Sequence, residues 1–231
     1  QAVASAFENL ELAARVVAAE QDVAQSSREI DELNRIGIAL SSERDTQALL
    51  NLILLKSREI TSSDAGSLYL IKEVSETDRR LSFELTQNDS VAAGFNKFTM
   101  PLDTRSIAGY VAVTGEVLHL EDAYQLPPGS PFSFNRRIDE VSGYRTKSML
   151  TIPMRNQKGE TIGVVQLINC KRRWETKLTA PAVVEKEVIS YSKRRQELAG
   201  SLASQAAVAY ENNVLYENIQ TLFEGFVKAA V

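Results

Sequence analysis

Two strand-like runs, at residues 147–155 and 161–169, limit the choice of fold more than any other part of this chain. Both runs are rich in apolar and β-branched residues, and they flank the turn Asn156-Gln157-Lys158-Gly159-Glu160. A short polar connection with a glycine is typical of a hairpin, because glycine accepts the backbone dihedrals that tight turns need. The pattern therefore predicts two adjacent antiparallel strands of one sheet.

Further short strands precede this hairpin. Apolar and aromatic residues dominate residues 67–74, and Leu81, Phe83 and Leu85 alternate with polar residues as in a half-buried strand. The other predicted elements are a strand at 98–102, a helical turn at 106–114 that ends at Gly115, a strand at 117–120 and a short helix at 136–141. Connections of this length favour an α+β fold with a central antiparallel sheet, helices on one face and loops on the other.

Long helices are predicted on both sides of this sheet region. In residues 7–40, and again from about residue 197 onward, one stripe of side chains recurs at alternating spacings of four and three. The first stripe is Leu12, Val16, Ala19, Val23, Ser26, Ile30, Leu33, Gly37 and Leu40, and the second is Val208, Asn212, Leu215, Ile219, Leu222 and Phe226. Such stripes favour helical pairs, so we expect a parallel homodimer formed through the flanking helices. Packing of the two helices within one chain is the alternative.

A shorter helix is predicted between the first long helix and the first strand. Asp45 and Thr46 are favourable helix N-caps. Residues 49–55 are apolar on nearly every side, which is typical of a helix buried between two surfaces. We expect this helix to lie between the sheet and a neighbouring layer.

Composition and charge exclude several classes of function. The chain has 231 residues, with 26 Lys or Arg and 30 Asp or Glu, for a net charge of −4. There is no basic patch to bind nucleic acid, and no apolar run approaches the roughly 20 residues that a membrane helix needs. The single cysteine, Cys170, fits a reducing compartment and hence a cytoplasmic location. Because the sequence starts at Gln1 and closes without a helix stop signal, we interpret it as a fragment of a longer protein.

Two stretches of the sequence resemble a known family. They read SIAGYVAVTGEVLHLEDAY and FNRRIDEVSGYRTKSMLTIPMRNQKGETIGVVQLIN. Together they look like the second half of a GAF domain, a small-molecule-sensing module. The resemblance implies a GAF-like sensory domain at 45–205 with a charged insertion at 171–190. It leaves 1–44 as an N-terminal signalling and dimerisation helix and 206–231 as a C-terminal connector helix.

The C-terminal segment resembles a second, narrower pattern. It reads SLASQAAVAYENNVLYENIQTLFEGFVKAAV. This is similar to the connector that enters HD-GYP domains, which are metal-dependent phosphohydrolases that hydrolyse cyclic-di-GMP. The insertion at 172–191 is similar to one in GAF domains attached to such outputs. The resemblance implies a bacterial signal-transduction protein whose phosphohydrolase domain would follow residue 231.

The signature of cyclic-nucleotide-binding GAF domains is met only in part. Those domains, in phosphodiesterases and cyclases, carry an N-K…F…D-E pattern. Asn169 matches its first position, but Cys170 follows, and Tyr191 stands at the aromatic position. The acidic pair aligns with Arg195 and Gln196. The resemblance therefore does not imply cAMP or cGMP as the ligand.

The counts of histidine and cysteine argue against catalysis by this fragment. An HD hydrolase needs several His and Asp side chains to hold two metals, and the chain has only His119. A GAF-type methionine sulfoxide reductase needs a second cysteine beside Cys170 to resolve its disulfide. We expect neither a metal nor a cofactor. The alternatives are a satisfied histidine at the pocket rim or a haem or bilin contact for His119, and a buried thiol or a bilin attachment point for Cys170.

The predicted site is a cavity between the sheet and the loops that cover it. Such pockets are mostly apolar with a few convergent polar groups. The candidate ligand-binding residues are Tyr110, Tyr124, Phe132, Arg136, Tyr144, Arg145, Thr151 and Gln166, with Phe134 and Arg137 nearby. Arg145 leads this set, because it directly precedes a strand edge and can meet an anion with two hydrogen bonds. A ligand-binding sensory module is the first hypothesis, and a structural dimerisation module with a self-filled pocket is the second.

Overall fold

The computed structural model describes residues 2–75, 77–92 and 96–229, with side chains from residue 11 onward. Its helices are α1 (Ala2–Ser42), α2 (Thr46–Thr61), α3 (Ile107–Thr114), α4 (Arg137–Ser142), α5 (Pro181–Glu187) and α6 (Lys193–Ala229). Its strands are β1 (Ser63–Ser75), β2 (Asp78–Asn88), β3 (Phe98–Pro101), β4 (Leu118–Leu120), β5 (Met149–Arg155), β6 (Thr161–Lys171) and β7 (Val188–Ile189). The predicted α+β fold, with a central sheet and a long helix on each side of it in the chain, is confirmed.

The strands form one seven-stranded antiparallel sheet. Their order is β3-β2-β1-β6-β5-β4, and β7 pairs with β6. The predicted hairpin is β5 and β6, paired from Met149↔Ile168 to Arg155↔Thr161. Gly159 in its turn has a φ of 79°, in the left-handed region where a side chain would be strained. β1 pairs with both β2 and β6, so the two halves of the domain meet in the middle of the sheet.

Alternation of side chains gives this sheet two different faces. Leu68 and Leu70 share a core with α1, α2 and α6, and we call this side the helix face. Tyr69 shares a core with α3 on the opposite side, which we call the loop face because the chain between β4 and β5 also lies there. α2 lies between the sheet and α6, as its apolar sequence predicts.

Local signals fix the starts of two of the three shorter helices that were predicted. Asp45 Oδ1 accepts a hydrogen bond from Ala48 N at 2.6 Å and caps α2. Ser106 Oγ accepts from Gly109 N at 3.0 Å and caps α3, which ends at Gly115 with a φ of 68°. Both caps satisfy backbone groups that a helix terminus otherwise leaves without partners.

α1 and α6 run parallel along the helix face. Near the start of α6, Arg194 pairs with Glu29 at 2.8 Å and with Asp22 at 3.2 Å. Farther along both helices, Gly37 of α1 faces Gln205 of α6. Because the contacts advance in the same direction on both helices, their axes have the same sense.

The two parallel helices are also offset, and each has an end that the domain does not cover. Residues 2–21 of α1 precede the contact with α6, and residues 218–229 of α6 continue past the end of α1. We call these segments the N-terminal arm and the C-terminal arm. The large apolar side chains exposed on the described part of the arms are Leu12, Val16, Val17, Ile219, Leu222, Phe223, Phe226 and Val227.

One boundary differs from the prediction and changes how the insertion is understood. The last predicted strand continues in β6 to Lys171, which is fully buried. The charge of Lys171 is paired there, because its Nζ lies 3.0 Å from Asp64 Oδ1. The chain then leaves the sheet at residues 172–187, a segment that we call the strap and that contains α5. Arg172 N donates to Glu187 O at 3.0 Å, so the two ends of the strap meet.

Candidate ligand-binding site

A row of polar side chains crosses the loop face of the sheet. Thr86, Ser67, Gln166 and Thr151 are register partners on β2, β1, β6 and β5. Ser67, Gln166 and Thr151 are buried, with 6%, 8% and 0% of their surface exposed. Tyr69 lies on the same face, with its hydroxyl 3.5 Å from Gln166 Oε1. These five side chains form the floor of the predicted site.

The hydrogen bonds within this floor are long. Gln166 Nε2 donates to Thr151 Oγ1 at 3.4 Å and Ser67 Oγ to Thr86 Oγ1 at 3.3 Å, whereas strong bonds of these kinds end at about 3.2 Å. Burial raises the pKa of Tyr69 to about 12, so its hydroxyl stays a donor at neutral pH. Long bonds are weak and are replaced at little cost by a better placed partner. The floor is suited to a ligand that offers both donors and acceptors.

Aromatic and aliphatic side chains form a wall beside this floor. Phe132 is 8% exposed and packs with Ile107 of α3 and Met149 of β5. The ring of Tyr110 lies 5.0 Å from that of Phe132, and its hydroxyl donates to Glu116 at 3.2 Å. Two of the predicted stacking residues are therefore neighbours.

A cationic rim surrounds Tyr124. The guanidinium carbons of Arg145 and Arg136 lie 3.9 and 4.2 Å from its ring centroid. Arg145 also donates to both carboxylate oxygens of Asp122, at 2.9 and 2.8 Å, so its charge is paired. In the described part of the chain, the exposed Arg136 donates only to the Tyr124 carbonyl, at 3.4 Å. Arg136 rather than Arg145 therefore has its charge available for an anion.

Asp139 holds this rim together. It is buried, and its Oδ2 accepts from the Tyr124 hydroxyl at 3.0 Å and from Thr146 N at 2.7 Å. Burial raises the pKa of Tyr124, and the nearby Asp139 charge raises it further. We call residues 136–147, which include α4, the pocket loop. Its position is fixed to the rim through Asp139.

Tyr144 lies outside the group formed by the other candidates. Its ring packs with Ala65, Leu178 and Val184, and its hydroxyl donates to Asp64 Oδ2 at 2.8 Å. Burial raises the pKa of Tyr144 well above its usual range, and the Asp64 charge adds to this effect. The structure thus brings together the candidates on the floor, wall and rim, and places Tyr144 at the strap.

Sequence reasoning named two residues of the floor and missed its other three members, as well as Asp139 of the rim and Asp64. Ser67 and Tyr69 are two apart on one strand, so they share a face, and this alternation was a signal that could have found them. Asp139 carried no such signal, because its hydrogen bonds depend on how the pocket loop folds. Asp64 likewise gains its partners only in the folded chain.

His119 contacts the junction between β7 and α6. Its Nε2 lies 3.1 Å from Ser190 Oγ and accepts from Tyr191 N at 3.3 Å. Its ring meets the ring of Tyr191 edge-on, with centroids 6.0 Å apart. The hydrogen bonds of this histidine are thus made to the start of α6 rather than to the Tyr124 rim.

The stability of the fold should depend on the protonation of His119. Burial lowers the pKa of His119 below its usual value of 6.5, and Glu121 offsets part of that effect. The unfolded chain then binds the proton more tightly, so the stabilisation is complete above about pH 6.5 and decreases as the pH falls through the unfolded and then the folded pKa. Between pH 7 and pH 5.5, the Tm of the native protein should decrease by a few degrees more than that of His119→Gln. Equal decreases in the two proteins would contradict this assignment.

Cys170 is fully buried, which confirms the prediction of a buried thiol. Its Sγ accepts from Arg195 Nη1 at 2.7 Å and lies 3.4 Å from Thr61 O. Burial raises the pKa of this thiol, and the guanidinium of Arg195 offsets part of the rise. A buried thiol with a raised pKa is a poor nucleophile.

Neither a metal site nor a membrane-spanning helix is found among the described residues. No group of three or more His, Cys, Asp or Glu side chains among them is arranged to hold a metal ion. No helix in the same part of the chain is long and apolar enough to cross a bilayer.

Comparison with protein families identifies the domain. The GAF domain model matches residues 45–210. The chain belongs to the GAF domain family. The match extends from the cap of α2 into α6, so this GAF domain includes the floor, wall and rim, and both arms lie outside the match.

The curated relatives of this GAF domain include cyclic-nucleotide phosphodiesterases. One is the dual 3',5'-cyclic-AMP and -GMP phosphodiesterase 11A of Takifugu rubripes, 32% identical over 133 residues, which cover 56% of this chain and 14% of that protein. Another is the cGMP-specific 3',5'-cyclic phosphodiesterase of Drosophila sechellia, 33% identical over 137 residues, which cover 56% of this chain and 11% of that protein. The chain thus spans only a small part of the length of these relatives.

Solved structures show the same fold at low sequence identity. The GAF domain of a phosphoenolpyruvate-protein phosphotransferase from Coxiella burnetii superposes with a TM-score of 0.59 and 17% identity, covering 84% of this chain and 96% of that one. Residues 122 to 287 of a methyl-accepting chemotaxis protein superpose with a TM-score of 0.57 and 20% identity, covering 78% and 98%. These likenesses establish the GAF fold and nothing about the ligand.

Proposed function

We propose that this GAF domain senses a small molecule at its loop face and relays binding through α6. The observation that carries the proposal is the buried floor of Ser67, Tyr69, Thr151 and Gln166, whose polar groups meet one another only through long hydrogen bonds. A buried amide without strong partners is costly, and a ligand that supplies them gains that free energy on binding.

The chemistry of the site favours a small, partly aromatic ligand with an anionic group. The floor presents neutral donors and acceptors, and the wall presents the rings of Tyr110 and Phe132. Arg136 supplies the available cation at the rim. The named substrates of the phosphodiesterase relatives, cAMP and cGMP, belong to this class and should therefore be tested beside other nucleotides.

Thermal melting with a panel of nucleotides and metabolites tests the sensing proposal. A ligand at about 100 times its Kd stabilises a protein by about 2.7 kcal/mol, which should raise Tm by roughly 5–10 °C for a domain of this size. Gln166→Leu should lose most of this shift, because it removes the amide at the centre of the floor. Gln157→Leu, the same change at the exposed β5–β6 turn, should keep it.

The alternative is a structural module whose pocket is filled by its own side chains. The observation that favours it is the burial of Phe132, which is 8% exposed and packs in one cluster with Ile107 and Met149. No shift with any compound of the panel, at concentrations up to solubility, would support this alternative over sensing.

The two arms support a parallel dimer as the active form. They point to opposite ends of the domain, and each carries exposed apolar side chains at coiled-coil spacing. A partner that presents two helices with the same spacing and the same offset could cover both arms at once. A second copy of this chain meets that requirement. The open groove between α1 and α6, about 390 Å³ and lined by Ile30, Leu33 and Leu198, would receive side chains of that copy.

The proposed output is an HD-GYP phosphohydrolase domain joined to the end of α6, in a cytoplasmic bacterial signalling protein. The support is the connector-like sequence at 201–231, together with the names of two relatives, which are cyclic-nucleotide phosphodiesterases. Hydrolysis of cyclic-di-GMP by the full-length protein in the presence of a divalent metal is the expected activity. Full-length protein that leaves cyclic-di-GMP intact would refute this output and leave the sensing proposal standing.

A further inference from the structure

The strap, residues 172–187, has no part in the ligand site as described so far. It leaves the sheet after β6 and returns at β7, directly ahead of α6. Leu178 and Val184 of the strap are buried, with 2% and 1% of their surface exposed, so this segment packs onto the domain rather than lying in solvent. In sequence, the strap lies between β6 and the short strand that precedes α6, so its contacts are relevant to signalling through α6.

A fully buried carboxylate joins the root of the strap to the pocket loop. Asp64 Oδ1 accepts from Lys171 Nζ at 3.0 Å and from Ser90 Oγ at 2.8 Å, and its Oδ2 accepts from the Tyr144 hydroxyl at 2.8 Å. Lys171 Nζ also donates to Thr176 O of the strap at 3.0 Å. Because Asp64 is 0% exposed, these donors replace water around its charge and each must stay in place.

The pocket loop and the strap are also in direct contact. Lys147 Nζ lies 2.6 Å from Glu185 Oε2. The ring of Tyr144 packs in one cluster with Leu178 of the strap and with Val188 of β7. Movement of the pocket loop therefore displaces strap residues by contact, and the cluster extends as far as β7.

The segment that leads into α6 is bonded to the residue that precedes Asp64 in β1. The hydroxyl of Tyr191 lies 2.8 Å from Ser63 Oγ, and Ser63 is the chain neighbour of Asp64. Gln196 Nε2, in the first turn of α6, donates to Tyr191 O at 2.8 Å. Contiguous packed and hydrogen-bonded groups thus connect the pocket loop to α6.

We propose that the strap is the coupling element of this domain, with Asp64 as the latch that makes the pocket loop and the start of α6 move together. The proposal rests on the proposed function, in which a ligand at the rim displaces the pocket loop. If Tyr144 moves away, Asp64 lacks one donor, so the strap has to rearrange to supply another. Buried contacts of this kind have discrete arrangements, which is what a ligand needs in order to shift one state to another.

Hydrogen exchange of the unliganded protein, followed by mass spectrometry, tests this coupling. Tyr144→Phe removes only the hydroxyl that donates to Asp64, and exchange should become about ten-fold faster in the strap and in residues 188–200, two regions beyond the site of the change. Tyr110→Phe is the matched control, because its hydroxyl bonds Glu116 near the surface, and it should leave both regions unchanged. Acceleration confined to the pocket loop would overturn the proposal.

Leu178→Ala tests the same coupling from the strap to the pocket loop. It also provides the test if Tyr144→Phe does not fold. It loosens the strap, and reciprocity requires faster exchange in the pocket loop as well. Unchanged exchange at residues 136–147 would overturn the coupling. Both exchange measurements are made without ligand. A ligand screen in which no compound binds would therefore refute the sensing proposal but would leave the coupling between the pocket loop and the strap to be tested by exchange.

Discussion

Replacing Lys171 by methionine should lower the free energy of unfolding by about 3–5 kcal/mol, because it leaves a buried carboxylate without its cation. Lys171 and Asp64 are both 0% exposed and lie 3.0 Å apart. In the variant, the donors left to the Asp64 charge among the described residues are the hydroxyls of Ser90 and Tyr144. Urea unfolding followed by circular dichroism measures the change, and a loss of this size should lower Tm by roughly 6–20 °C.

The same substitution at an exposed ion pair provides the control for this prediction. Lys56 lies 2.7 Å from Glu59 on the surface of α2, where the side chains are 32% and 37% exposed. Lys56→Met should cost at most about 1 kcal/mol, since water screens such pairs. The double variant Asp64→Asn with Lys171→Met should recover most of the loss, because neither charge remains buried. A Lys171→Met protein as stable as Lys56→Met would show that the buried pair does not hold the fold.

Charged residues in the C-terminal half of α6 should convert the proposed dimer into a monomer. Leu215 and Ile219 are 58% and 56% exposed within one chain, so their apolar surface is available to a partner. Burying each is worth about 1.5–3 kcal/mol, and a dimer contains four of them, so Leu215→Glu with Ile219→Glu should weaken association by more than about 10⁴-fold. Light scattering after gel filtration should show the mass falling from twice the chain mass to 25.6 kDa.

A matched pair of charges on another apolar surface distinguishes an effect specific to the C-terminal half of α6 from a general effect of charge. Ile138 and Val141 of α4 are 65% and 82% exposed, and replacing both by glutamate should leave the dimer intact. Near-ultraviolet circular dichroism should be native in both double variants, because none of the four side chains belongs to the core. A native protein that is monomeric at every concentration would remove the dimer from the proposed function.

Elements marked by local signals could be predicted from the sequence. The hairpin of β5 and β6 follows from two apolar runs and a polar turn, and α3 follows from a serine cap and a terminal glycine. The start of α6 at Lys193, earlier than predicted, also has a local signal, since Ser192 Oγ accepts from Arg195 N at 3.3 Å. In these cases the residues that decide the structure are close together in the chain.

Features that depend on distant partners could not be predicted. Ser63 and Asp64 look like a polar turn, yet they are 0% exposed in β1, because the partner of Asp64 is Lys171 at the other end of the sheet region. Arg145 was the leading candidate to bind an anion. Only the folded loop shows that its guanidinium already donates to the carboxylate of Asp122. Two of the five residues of the floor were predicted, because Thr151 and Gln166 lie in the hairpin. Ser67, Tyr69 and Thr86 lie in strands that join the hairpin from far away in sequence.

The common direction of α1 and α6 has a consequence for how such domains combine. The chain enters the domain along α1 and leaves it along α6, which lies beside α1 and has the same direction. Domains of this design can therefore be joined in tandem, with α6 of one domain continuing as α1 of the next.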